Sequence, residues 1–149
     1  MSRIISFRGL LADGAQERIP LQTNKGLRGY RIVKFQGFPE KPGHADYETT
    51  VLIWKVEQSS VPTANPIVDF SNQTLLGALI YEGRPGSSSS GVLPATVIFD
   101  TEIFNQDIYV THTEANGTES FNYYIELEQM DLALDEATVA TLKDIRNND

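Results

Sequence analysis

Residues Ile108–Gln129 read IYVTHTEANGTESFNYYIELEQ, and the alternation inside this stretch decides the fold class. From Phe121 onward, Phe121, Tyr123, Ile125 and Leu127 share one face, opposite Asn122, Tyr124, Glu126 and Glu128. A period of two places side chains alternately on the two faces of an extended chain, so this run is a strand with one dry and one wet face. Asn116-Gly117 separates it from the earlier block Ile108–Thr113, and both residues tolerate the positive φ that a two-residue hairpin turn requires. The expectation is a β-hairpin with Ile108–Thr113 and Ser120–Gln129 as its arms. After Gln129 the apolar positions move by one residue, to Met130, Leu132 and Leu134, which predicts a β-bulge.

The same short blocks recur on the N-terminal side. Ile4–Arg8, Arg18–Gln22, Tyr30–Phe35, Tyr47–Glu57, Thr74–Glu82, Ala95–Phe99 and Asp107–Thr113 are candidate strands. Tyr47–Glu57 sets Leu52, Trp54 and Val56 against Val51, Ile53 and Lys55, so its centre is expected to be buried on both sides, with Trp54 in the core. Thr74–Glu82 is also open to a helical reading, but Gly77 and its length of nine residues favour a strand. Only the C-terminus reads as a helix. Asp135 is the expected N-cap, and Val139, Leu142 and Ile145 form an apolar stripe expected to pack on a sheet. Lys143 and Arg146 suit the negative end of the dipole, and 147–149 form a polar tail. Phe38–Gly43 is a Pro-rich bend, and Glu82–Gly91 (EGRPGSSSSG) reads as a flexible loop. Eight short strands with one helix imply a single all-β domain over residues 1–149. The first choice is a jelly-roll-like antiparallel β-sandwich with a short C-terminal α-helix. An immunoglobulin-like sandwich is the alternative, although it lacks the cysteines of that signature.

Composition narrows the function classes. With 149 residues and no cysteine, disulfides, thiolate catalysis and Cys-ligated zinc are excluded. Arg3 and Arg8 interrupt the apolar N-terminus and no run approaches membrane-spanning length, so a cytoplasmic product without a membrane segment is expected. The formal charge of -8 argues against nucleic acid as a partner. It is unevenly spread: residues 1–58 carry nine Lys/Arg against six acids, and residues 100–149 carry two against twelve. The two halves are expected to neutralise each other within one fold, or the acids simply to solvate a surface, with head-to-tail association of copies as the other reading.

No catalytic residue, cofactor-binding residue or resident metal is expected. His112 reads as an ordinary edge or surface residue of a strand, and neither it nor His44, beside Asp46, shows an oriented partner. Ser87–Ser90 forms no nucleophile elbow, and Walker, dinucleotide and zinc patterns are missing. Asp100, Glu102, Asn105 and Asp107 could supply oxygens to calcium, but turn formation and capping explain them equally. Trp54, Tyr109, Tyr123 and Tyr124 could build a sugar-stacking platform, of which Tyr124 is the best candidate for exposure. Tyr124, Asn116 and Arg84 are the candidate interaction residues.

The C-terminal third, VIFDTEIFNQDIYVTHTEANGTESFNYYIELEQMDLALDEATVATLKDIRNN, resembles the corresponding part of small virion structural proteins of tailed bacteriophages. The resemblance lies in the Tyr-rich strand NYYIELE, the segment LALDEATVATL and the Ile-Arg-Asn ending. It covers residues 97–148 and carries no catalytic or binding position with it. It implies a capsid decoration, cement or minor capsid protein located in the virion and made in the host cytoplasm. Such a protein would bind the major capsid protein or other virion proteins, and copies of itself. The alternative from the residues is a carbohydrate-binding or receptor-binding β-sandwich module.

Overall fold

A computed structural model describes residues 2–84 and 92–146. Eight strands are followed by one helix: β1 (Arg3–Leu11), β2 (Gln16–Ile19), β3 (Arg28–Pro39), β4 (Tyr47–Trp54), β5 (Leu75–Gly83), β6 (Val92–Ile98), β7 (Ile108–Glu114), β8 (Phe121–Asp131) and α1 (Leu134–Arg146). Each candidate strand block of the sequence therefore overlaps a strand. Every strand pair is antiparallel, in two sheets ordered β1-β8-β3 and β2-β7-β4-β5-β6. The fold is an all-β sandwich with jelly-roll-like strand order and a C-terminal helix. One strand departs from the jelly-roll plan. In an eight-stranded jelly roll the sixth strand lies beside the third, whereas among the described residues β6 pairs with β5 alone. β3 and β6 still come close to one another, but with no ladder between them a groove remains along part of that side.

The expected β7–β8 hairpin does not form. β7 pairs with β2 and β4, while β8 lies between β1 and β3 in the other sheet. Asn116-Gly117 lies in a connection that crosses between the layers, where Gly117 adopts φ +108°. Turn chemistry marks a reversal, but the dry faces of both strands are better buried face to face across the core than side by side. The bulge also lies elsewhere. β8 runs in unbroken register against β1 to Gln129, and the irregularity against β3 falls at Val33, between Ile32 and Lys34. That extra residue rephases β3, so Tyr30, Ile32 and Phe35 are all buried.

The core lies between the sheets and includes Val51, Ile53, Leu76, Ile108, Val110, Phe121, Ile125 and Leu127. Full burial of each large aliphatic or aromatic side chain contributes about 1.5–3 kcal/mol. β4 is buried on both faces as its sequence suggests, because Leu52 joins Leu75 and Ala78 in a smaller cluster on the outer side of the larger sheet. Trp54 packs against that outer cluster, half-buried, and donates from Nε1 to Thr111 Oγ1 at 3.0 Å. His112 is not a surface residue: it is fully buried on central strand β7, opposite Val51, with its ring against Phe121. Its Nδ1 lies 3.0 and 3.1 Å from the carbonyl oxygens of Leu11 and Ala12, so that nitrogen carries the proton. Tyr123 is flanked in register by Gly9 and Gly37, and the space above these glycines is filled by the Tyr123 and Phe121 rings.

Helix α1 packs by a different face from the one its apolar stripe suggests. Ala137, Ala140 and Asp144 are buried, while Val139 and Leu142 are 58% and 54% exposed. The side chain of Ile145, the 147–149 tail and Ser87–Ser90 lie outside the described residues. Small alanines let the helix approach closely, and polar bonds fix it. Asn105, fully buried, donates from Nδ2 to Gly26 O (3.1 Å), Ala137 O (3.3 Å) and Thr141 Oγ1 (2.7 Å). The N-cap position falls at Ala133 rather than Asp135, and the Glu136 carboxylate accepts the Ala133 N–H at 3.2 Å.

Candidate interaction surface

Because β6 stays with β5, the open side of the sandwich forms a groove of about 990 Å³ between the small sheet and β5–β6. The register places Tyr81 and Leu79 opposite Pro94 and Thr96, on the core-facing side of the larger sheet. Yet Pro94 and Thr96 are exposed, as are Ala95 and Val97 on the other side. β6 is thus bare on both faces over Pro94–Val97. Leu10, Phe38 and Ile80 are also exposed, with Phe38 at 62%; all three line the groove.

The outer face of the small sheet continues this surface, and its cross-strand rows follow from the register. Leu10, Asn122 and Phe38 form one row, Arg8, Tyr124 and Gln36 the next, then Ser6, Glu126 and Lys34, then Ile4, Glu128 and Arg31. The acids of β8 face basic residues of β3 on one side, and Ser6 and Ile4 of β1 on the other. Arg31 Nε lies 2.7 Å from Glu128 Oε1 and Lys34 Nζ 4.0 Å from Glu126 Oε2. Two of the acids from the C-terminal part of the chain, Glu126 and Glu128, thus meet bases from its N-terminal part inside this sheet. Tyr124 donates its hydroxyl to Glu126 Oε2 at 2.5 Å, and that bond raises its pKa above the ordinary tyrosine value.

Arg84 and Asn116 lie at one end of the sandwich, apart from Tyr124. Arg84 pairs with Glu48, whose backbone carbonyl accepts the Ala115 N–H at 2.9 Å. Asn116 shares a recess of about 460 Å³ with His44, Asp46 and Glu119. Beneath it Glu114 is buried, accepting the N–H groups of Glu48 (2.7 Å) and Asn116 (3.1 Å) and the Thr49 hydroxyl (2.6 Å). Burial pushes its carboxyl pKa up, against the lowering effect of these bonds.

The acidic loop offered to calcium is taken up separately. Asp107 Oδ1 accepts the N–H groups of Leu21 (2.8 Å) and Gln22 (2.9 Å), and Asn105 anchors the helix. Glu102 Oε1 lies 2.5 Å from the buried ammonium of Lys55. The same ammonium is 3.6 Å from Asp144 Oδ1 beneath α1. Among the described residues no three His, Asp or Glu side chains gather as a metal site. The proposed aromatic platform is also dispersed. Tyr123 is buried with its hydroxyl on Glu17, Tyr124 lies on the small sheet, and Trp54 pairs with Tyr109 on the larger one. Leu10, Phe38, Ile80 and β6 were not singled out by sequence. The only signal for β6 is its uncharged run VLPATVI.

No protein-family profile matches this chain, and no curated protein is significantly similar to it in sequence. Among solved structures, the chain is similar to one described by the words "Bacillus endospore appendages form a novel family of disulfide-linked pili". That similarity spans 89% of this chain and 92% of the other, with 10% identity and a TM-score of 0.35. Likeness at that level carries no argument for this chain.

Proposed function

We propose that this chain is a structural protein that builds or stabilises a particle through protein–protein contacts, of the phage decoration or cement type implied by its C-terminal resemblance. The observation that supports it is the open side of the sandwich. A β6 edge bare on both faces, beside a groove carrying Leu10, Phe38 and Ile80, is a surface suited to another protein. The major capsid protein or another virion protein is the partner this reading names. Multivalent attachment over a symmetric shell would give avidity to contacts that are individually modest.

The test is the composition of density-purified virus particles. The chain should co-purify in stoichiometric amounts and leave intact particles as salt is raised. Absence from particles, together with retention of the isolated monomer on a polysaccharide resin, would replace this reading with the carbohydrate-binding one.

A further inference from the structure

We propose that Asn116 is a self-modification site, where the Gly117 nitrogen displaces the side-chain amide and water completes the conversion to aspartate and isoaspartate. The inference goes beyond the particle-building reading and needs no partner. Asn116 is the one asparagine of the sequence followed by glycine. The reaction closes a five-membered ring, so the next residue's nitrogen must reach the asparagine Cγ, and a side chain on that residue hinders the approach. Gly117 is exposed, adopts φ +108°, and has nothing within 4 Å of where a Cβ would stand. The N–H groups of Ala115 and Asn116 are tethered, to Glu48 O at 2.9 Å and Glu114 Oε1 at 3.1 Å. Among the described residues, neither the Gly117 N–H nor the Asn116 amide has a hydrogen-bond partner. The residue is fixed on one side while its reacting atoms can approach each other. Other asparagines lack this combination. Asn72 Oδ1 accepts the Thr74 N–H and hydroxyl at 2.9 and 2.7 Å, and Asn105 is buried with its amide fully engaged. Asn65 precedes Pro66, which has no N–H, and Asn122 lies in β8 between β1 and β3.

The step balances without any oxidant or cofactor. The Gly117 nitrogen, whose lone pair is tied up in its peptide bond, first gives its proton to solvent base. It then bonds to Asn116 Cγ, and the bond from Cγ to Nδ2 breaks. Nδ2 takes a proton from water and leaves as ammonia, so the ring is a succinimide. Water next adds its hydroxyl to one of the two ring carbonyls and returns a proton to the nitrogen. Opening at Cγ yields aspartate. Opening at the main-chain carbonyl yields isoaspartate, with the chain now running through Cγ and one carbon longer. Either product carries a new carboxylate among His44, Asp46 and Glu119 of the recess, Lys41 paired with Glu119, and Glu114 beneath. An amide both donates and accepts hydrogen bonds and a carboxylate only accepts, so the recess loses a donor and gains a charge. That charge sits on the residue whose N–H is bonded to the Glu114 carboxylate and opposes that bond.

The test is incubation of the purified, folded chain in neutral buffer, followed by digestion and mass spectrometry of the peptides. The peptide holding Asn116 should gain about 1 Da and separate into two products, aspartyl and isoaspartyl. Isoaspartate is diagnostic, because only the ring route produces it. The conversion should quicken as the buffer is made more alkaline, since the attacking nitrogen must lose its proton. Asn24, exposed in a turn but followed by Lys25, is the internal control and should stay unconverted over the same interval. Asn116→Gln, which keeps an amide but cannot close the five-membered ring, should lose the conversion. This variant leaves Gly117 and its backbone untouched, so a folded chain is available for comparison. An unconverted Asn116, conversion of Asn24 at the same rate, or aspartate without isoaspartate overturns the inference. So does conversion in the urea-unfolded chain but not in the folded one, since the fold would then protect the site. The converted chain, one unit more negative than -8, separates on an anion exchanger and should unfold at a lower urea midpoint than its parent. An equal midpoint overturns the stated effect on the Glu114 bond.

Discussion

Gly37 shows how tightly single positions are set. A Cβ there would overlap the Phe121 ring and stand 3.1 Å from Leu79 Cδ1. Gly37→Ala should therefore cost about 1–3 kcal/mol, read as a lower urea midpoint with an unchanged slope. Lys55 is a second such position: its side chain is 1% exposed and balances Glu102 and Asp144. Lys55→Met leaves Asp144 buried beneath the helix without its cation and should cost about 3–5 kcal/mol in the same measurement. The buried carboxyls respond to pH in two senses, Asp144 and Glu114 in one and Glu102 in the other. Burial raises the pKa of Asp144 and of Glu114, so the folded chain holds these protons more tightly than the unfolded chain. Their contribution is largest below the ordinary carboxylate range and is lost as pH rises through the folded values. Burial also acts to raise Glu102, but the ammoniums of Lys55 and Lys143 outweigh it and the net shift is downward, so its contribution fails only at lower pH. Between about pH 7 and about pH 5 the raised pair sets the sign, and the urea midpoint should hold or rise on acidification. Asp144→Asn should flatten that response. None of this was legible in the sequence. Lys55, His112, Glu114 and Asp144 belong to residue types that usually sit in water, and only their partners, distant along the chain, account for their burial.

At the level of elements, α1 gives a direct check on orientation. Its outward side chains Val139 and Leu142 contribute little to packing, so the double change to Lys should shift stability by less than about 0.5 kcal/mol. Ala140→Leu, on the buried face, should cost about 1–3 kcal/mol by overpacking, measured by thermal or urea unfolding. The reverse ranking would mean that the helix lies on its other face. The Val139–Leu142 spacing was visible in the sequence, but spacing shows only that a stripe exists. Which face docks was decided by closeness of approach and by the Asn105 bonds, both tertiary. Strands show the same division. Alternation pointed to most of them, because a dry face leaves its mark on each strand separately, while β5, buried along most of its length, was favoured as a strand by Gly77 and its length. The partner of a dry face leaves no such mark, so Asn116-Gly117 pointed to a neighbour in sequence when β8 belongs with β1 and β3.

For the whole molecule, the governing fact is that four of the six strand pairings among the described residues join strands far apart in the chain. β1 pairs with β8, β2 with β7 and β3 with β8. Such topology slows folding, and refolding by stopped-flow fluorescence of Trp54 should fall in the millisecond-to-second range typical of sandwiches, about a thousandfold slower than small helical bundles. The candidate surface was only partly readable at this scale. Tyr124 was placed correctly on a wet face, but the groove exists because β6 stays beside β5, which no local pattern records. The position of β8 in the middle of the small sheet also bears on how the protein is made. During synthesis β1 and β3 emerge early and wait, their backbone groups and greasy faces without a mate, until the ribosome has released residues through Asp131. The layer is completed by the strand that arrives last, which leaves the nascent chain exposed to chaperones and to its own siblings for most of translation.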